Sequence, residues 1–137
     1  MTDRDEWNRR VIEEFRANDG KVGGMFEGMP LLLLHHTGAK TGRERVNPLA
    51  YQHLGDSVAV FASKGGSPTN PDWYHNLRAN PEVTVEIGTD RYAARARVAT
   101  GEERERIWST QTANYPQFSE YEQKSGRQIP VVVLEKA

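Results

Sequence analysis

The chain contains no cysteine among its 137 residues, which excludes a disulfide framework, thiolate catalysis and cysteine-ligated metals. It also lacks a long apolar run: no wholly aliphatic stretch outruns Leu31–Leu34, far short of a membrane span. The opening MTDRDEWNRR is charged where a secretory signal would carry its apolar segment, so a cytoplasmic address is expected. Net charge is nearly absent. Lys+Arg 18 against Asp+Glu 19 gives a formal charge of -1, so no global basic field points to nucleic acid, and any anion site must be local. With 36% hydrophobic and 27% charged residues, one compact domain over 1–137 is expected.

Several catalytic signatures are missing as well. No GxxxxGK[ST] supports a nucleoside triphosphatase, no HExxH or HxH a metal site, and no GxSxG elbow a serine hydrolase. No GxGxxG lies between a strand and a helix, so a dinucleotide Rossmann site has no support. His35 and His36 are adjacent in an extended run and point to opposite faces, which keeps them from sharing a metal. No metal is expected.

What is present is a change of period. Trp7, Val11 and Phe15 recur every four residues, the stripe of an amphipathic helix that ends near Asn18-Asp19-Gly20. The stripe is narrow, so packing within the chain is expected, with a second chain or peripheral membrane contact as the alternatives. Lys21–Pro30 is glycine-rich and reads as a mobile connector, so 1–30 forms a helix and linker ahead of the strands.

From Leu31 onward the pattern is short strands: Leu31–His36, too apolar and too short for a helix, then Val46–Gln52 and Ser57–Ala62 in an antiparallel meander. Asn70 is placed to cap a short helix that begins at Pro71 and closes at Asn80-Pro81. Glu82–Ile87 and Tyr92–Ala99 form a hairpin. Its Val83, Val85, Ile87, Tyr92, Ala94, Ala96 and Val98 share one face, and Glu82, Glu86, Arg95 and Arg97 pair across the solvated one. Thr100 and Glu103 have capping-box spacing at the start of a helix through Trp108. A further helix covers Pro116–Lys124, Gly126 stops it, and Ile129–Leu134 is a last strand. The fold class is α+β, a small barrel of about six mainly antiparallel strands with capping helices.

The first and third strands of a meander run the same way, so the loops after His36 and after Ala62 leave the sheet at one end. Both are glycine-rich and cationic: Thr37-Gly38-Ala39-Lys40-Thr41-Gly42-Arg43-Glu44-Arg45 and Ser63-Lys64-Gly65-Gly66. Glycines let the backbone approach a ligand, and the cations suit a phosphate or carboxylate. The competing reading is a hairpin tip kept soluble by Lys40 and Arg43. Tyr115, Phe118 and Tyr121 flank Pro116 in a segment that can form an apolar wall beside this groove, although most such aromatics serve as core.

The words TGAKTGRERVNPL at 37–49, ASKGGSPTNPDWYHNLRANPEVTVEI at 62–87, YPQFSEY and IPVVVLE, in this order, resemble the deazaflavin-dependent nitroreductase family. These are split β-barrel oxidoreductases that use reduced coenzyme F420, and the resemblance implies that fold and cofactor here, with FMN as the alternative. It implies that Lys40, Thr41, Arg45 and Asn47 hold the phosphate and acidic tail, with Ala39 and Val46 beside them in the cofactor site. Phe61, Ala62, Ser63, Lys64 and Gly65 then line the second side, and Trp73, Tyr74 and Asn76 complete the groove. The partner implied is a small or lipophilic electron acceptor: a quinone, an activated C=C bond or a nitroaromatic compound. Ser63, Tyr115 and Tyr121 are the candidate catalytic groups that supply a proton. Ala50 and Phe118 stand where certain nitroreductases carry tyrosines. A non-catalytic deazaflavin carrier is the remaining alternative.

Overall fold

The computed structural model describes residues 3–22, 30–66 and 68–137. The connector expected at Lys21–Pro30 falls largely on residues 23–29, which lie outside them. The elements run α1 (Asp3–Ala17), β1 (Leu31–Thr37), β2 (Glu44–His53), β3 (Ser57–Phe61), a 3₁₀ turn (Lys64–Gly66), α2 (Asp72–Ala79), β4 (Glu82–Ile87), β5 (Asp90–Val98), α3 (Gly101–Asn114), α4 (Gln117–Ser125) and β6 (Val131–Lys136). The strands close a barrel in the order β1-β2-β3-β6-β5-β4, with every neighbouring pair antiparallel. This is the α+β barrel expected from the strand pattern.

Period-two alternation explains where the core lies. Leu32 and Leu34 of β1, Val58 and Val60 of β3, Val85 of β4 and Val132 and Leu134 of β6 pack inside the barrel. The intervening residues face outward beneath helices. Leu31 and Leu33 meet Val11 and Phe15 of α1, while Ala59, Phe61, Val131 and Val133 meet Ile107, Trp108 and Phe118 of α3 and α4. The run Leu31–Leu34 is apolar throughout because β1 is covered on both faces. Each such aliphatic side chain contributes about 1.5–3 kcal/mol on full burial.

β1 and β3 end, and β4 and β6 begin, on the same rim of the barrel, and β5 ends there too. The 38–43 loop, the 62–71 segment, α2, α3 and α4 therefore all attach at that rim. Trp73, Tyr74 and Leu77 of α2 plug it by packing into the barrel core.

Four local expectations are corrected. Asn70 does not cap α2: the cap residue is Pro71, with no side-chain cap bond, and Asn70 Oδ1 instead accepts from Arg127 Nη1 at 2.6 Å. Thr100 sits at the cap of α3 in extended conformation but makes no capping bond. The Glu103 carboxylate is held by a bidentate Arg97 at 2.6 and 2.9 Å, a charge-assisted contact that outcompetes a backbone N–H. That helix continues to Asn114 rather than stopping at Trp108. On the outer face of the hairpin only Glu82 and Arg95 form the expected cross-strand pair, at 3.8 Å. Glu86 is turned to Arg16 and His35, and Val98 on the opposite face is 38% exposed. Among the described residues no helix is long and apolar enough to cross a membrane.

Candidate functional site

The two adjacent histidines separate as strand geometry requires. His35 faces outward, its Nδ1 2.9 Å from Glu44 Oε1 and its Nε2 on the Glu86 carboxylate. Arg16 of α1 grips the same Glu86 at 2.8 and 3.3 Å and, with burial opposing and His35 assisting, holds that carboxyl below its ordinary pKa. His36 faces inward at the rim, 2% exposed. Among the described residues no group of three or more His, Asp or Glu side chains is placed to hold a metal ion.

His36 is the centre of a polar relay. The Ala39 N–H donates to Asn76 Oδ1 at 2.8 Å, which turns Asn76 Nδ2 toward His36 Nδ1 at 3.1 Å. Nδ1 must then accept, so the ring proton sits on Nε2 and is donated to Asn47 Oδ1 at 2.7 Å. The imidazole is neutral in this arrangement. Burial lowers its pKa, partly offset by the bond to Asn47, and the neighbouring Arg45 lowers it further. The relay ties β1, β2 and α2 to the first residue pair of the 38–43 loop. Gly38 N–H bonds Arg43 O at 2.8 Å and Gly42 N–H bonds Gly38 O at 2.9 Å, closing the loop on itself. Gly38 is also needed sterically, since a β-carbon there would lie 2.5 Å from Thr41 Oγ1.

The result is a fixed loop whose cations project from it. Ala39, Lys40, Thr41, Arg43 and Arg45 are exposed, while Asn47 and Asn76 sit behind them with their amides committed to His36. Val46 is turned the other way, packing under α1 with Leu33 and Phe15.

On the second side, Ala62 is buried and donates its N–H to Pro130 O at 3.0 Å. Ser63 and Lys64 are half-buried. Lys64 holds φ 48, in the left-handed region, an uncommon conformation for a residue with a β-carbon. The 3₁₀ turn it opens, which includes Gly65, lies directly on α4: a β-carbon at Gly66 would come 3.3 Å from Tyr121 Cα. Tyr121 and Tyr115 each stack edgewise on Phe118, with ring centroids 5.4 and 6.5 Å away, and Phe118 contacts Phe61 at 5.6 Å. Both tyrosines are half-buried and Ala50 borders the same cluster. Trp73 and Tyr74, expected to border the groove, are plug residues within the barrel core.

The rim therefore carries two unlike surfaces, a cationic loop between β1 and β2 and an aromatic wall against the Ser63–Gly66 turn that follows β3. That donor set fits a molecule with a flat apolar head and an anionic tail. A concavity of about 680 Å³ on the outer barrel face, lined by His35, Glu44, Thr84 and Arg95 among others, has no apolar wall of this kind. Sequence reasoning separates His36 from His35 by strand face but gives no sign of this relay. No local pattern marks it, since β2 pairs Asn47 with Leu34 rather than His36 and Asn76 lies 40 residues further along the chain.

Comparison with known proteins agrees with this geometry. A family model described as F420H(2)-dependent quinone reductase matches residues 7–136. An F420H(2)-dependent quinone reductase of Mycobacterium tuberculosis (strain ATCC 25618 / H37Rv) is 40% identical over 124 residues, 88% of this chain and 83% of the relative. A solved structure of an F420-H2 dependent reductase superposes with a TM-score of 0.71 at 42% identity, over 77% of this chain and 94% of that one. A second solved structure, described only as a domain-swapped dimer, superposes with a TM-score of 0.74 at 37% identity over 96% of this chain and 99% of that one. None of these relatives supports the FMN alternative. The chain belongs to the F420H(2)-dependent quinone reductase family, reductases whose electron donor is reduced coenzyme F420.

Proposed function

We propose that this protein reduces a quinone-type acceptor with a hydride from coenzyme F420 held across the rim, its tail on the 38–45 loop and its ring against the Ser63–Gly66 turn. The observation that carries the reading is that exposed Lys40 and Arg45 and the Phe118 wall with Tyr115 and Tyr121 belong to segments attached at one rim of the barrel. When bound, reduced F420 supplies the hydride. The residues of the chain position and shield. Lys40, Arg43 and Arg45 meet the negative charge of the tail, and the Thr41 hydroxyl can donate to it. The relay through His36 keeps that loop in one conformation, so little ordering remains to be done on binding. Phe118 and Phe61 keep water from one side of the reacting centre.

A quinone that accepts a hydride also takes a proton to become the hydroquinone. Tyr121 and Tyr115 each carry an O–H at the aromatic wall, and Ser63 precedes the turn that packs on α4; these are the groups that can deliver it. Activated C=C bonds and nitroaromatics need the same delivery of hydride and proton and are the next acceptors to try. The experiment is acceptor-dependent oxidation of reduced F420, followed by the return of the oxidised deazaflavin absorbance. Oxidation with a menaquinone analogue supports the reading. Tight cofactor binding with no turnover across quinones, enones and nitroaromatics would replace it by that of a deazaflavin carrier.

A further inference from the structure

A single guanidinium shapes the second side of the groove from outside it. Arg127 lies in the connection between α4 and β6, far in sequence from the turn, yet its Nη2 donates to Ala62 O at 3.0 Å, Ser63 O at 3.2 Å and Thr69 O at 3.0 Å. Its Nη1 donates to Asn70 Oδ1 at 2.6 Å. Four oxygens from both ends of the 62–70 segment thus converge on one cation. All peptide bonds of the described chain are trans, so the carbonyls of Ala62 and Ser63 face Arg127 while the opposite edges of those peptides face away. Removing the guanidinium leaves converging carbonyl dipoles with only water to separate them, which loosens the hold on both ends of the segment. The same segment holds Lys64 at positive φ, a conformation that persists only where surrounding contacts impose it.

We infer that Arg127 is a positioning residue for cofactor binding: it sets the conformation of Ala62–Lys64, and through it the seat of the deazaflavin ring, without touching the ligand. The inference rests on the proposed placement of the ring against this turn. A ring seat rather than a tail seat follows from the neighbours, since the turn abuts Tyr121 and the Phe118 wall while the exposed cations stand on the 38–45 loop. The anchor requires Arg rather than Lys, because one ammonium cannot span both Asn70 and the three carbonyls with the fork of a guanidinium.

The test titrates wild-type protein, Arg127→Met and Arg127→Lys with coenzyme F420 and with the tail-less deazaflavin riboside, following cofactor fluorescence, and records the thermal midpoint of each protein. Val85→Ala, a cavity in the barrel core on β4, the strand opposite β3 in the barrel order, serves as the stability control. Arg127→Met should weaken both ligands by a similar factor of about ten or more, with Arg127→Lys intermediate and Val85→Ala unchanged in affinity despite a lower midpoint. Wild-type affinity for both ligands in folded Arg127→Met overturns the inference while leaving the proposed function standing. Loss confined to full-length F420 overturns the ring seat. Equal losses in Arg127→Met and Val85→Ala reduce Arg127 to general stability and overturn it as well. Absence of F420 binding by the wild-type protein overturns both.

Discussion

Asn76 Nδ2 donates to His36 Nδ1 at 3.1 Å inside the rim of the barrel, while the same amide's oxygen accepts the Ala39 N–H at 2.8 Å. One asparagine therefore connects a buried strand residue to the loop that presents Lys40. His36→Phe retains an aromatic ring but leaves Asn47 and Asn76 without their partner. It should cost about 1–3 kcal/mol of stability, measured by denaturant unfolding, and weaken F420 binding more than a remote core variant of equal cost.

The relay is acid-sensitive in a defined direction. Burial depresses the folded pKa of His36 below its ordinary 6.5, so the unfolded chain takes up the proton first. Stability from this residue is complete above about pH 6.5 and falls as pH drops toward the folded pKa. The difference in unfolding free energy between wild type and His36→Phe should shrink from about pH 7 to about pH 5. A difference constant over that range would show that folding leaves the His36 pKa unchanged, and one that grows toward acid would show it raised.

Glu86 ties α1 to the barrel through Arg16 and His35. Its lowered pKa, caused first by Arg16, means that its contribution is present above the unfolded carboxylate range and is lost as pH falls through the lower folded value. Glu86→Gln should cost about 1 kcal/mol near neutrality and much less in acid, with the loss concentrated in hydrogen exchange of α1. Uniform exchange across the barrel would contradict a local anchor.

Lys64 separates conformation from charge. Lys64→Gly relieves a positive φ worth about 1 kcal/mol and removes a cation, so the thermal midpoint should rise while F420 affinity falls. Lys64→Ala should lower both. A rise in affinity in Lys64→Gly would show that backbone strain, and not the ammonium, governs this side of the groove.

Much of this arrangement was legible in the sequence for a physical reason. Alternation and turn residues report local environment, so β1, the β4–β5 hairpin and the shared exit of the two loops followed from period and parity. The caps did not follow. Asn70 and Thr100 have the right chemistry for their positions, but Arg127 takes the Asn70 oxygen and Arg97 the Glu103 carboxylate of the expected capping box, contacts made across elements. Trp73 and Tyr74 sit in the matching words of the resemblance yet face the core, because helix phase decides burial and a short helix gives little periodicity from which to read it.

The most direct test of the central claim is a titration of wild-type protein and Lys40→Ala with coenzyme F420 by quenching of cofactor fluorescence. Lys40 is exposed on a closed loop, so its loss should leave the thermal midpoint unchanged and weaken binding by about tenfold, an effect that narrows as salt is raised. Folded wild-type protein that fails to quench F420 at micromolar concentration, or a Lys40→Ala variant that binds as tightly as wild type, would contradict it.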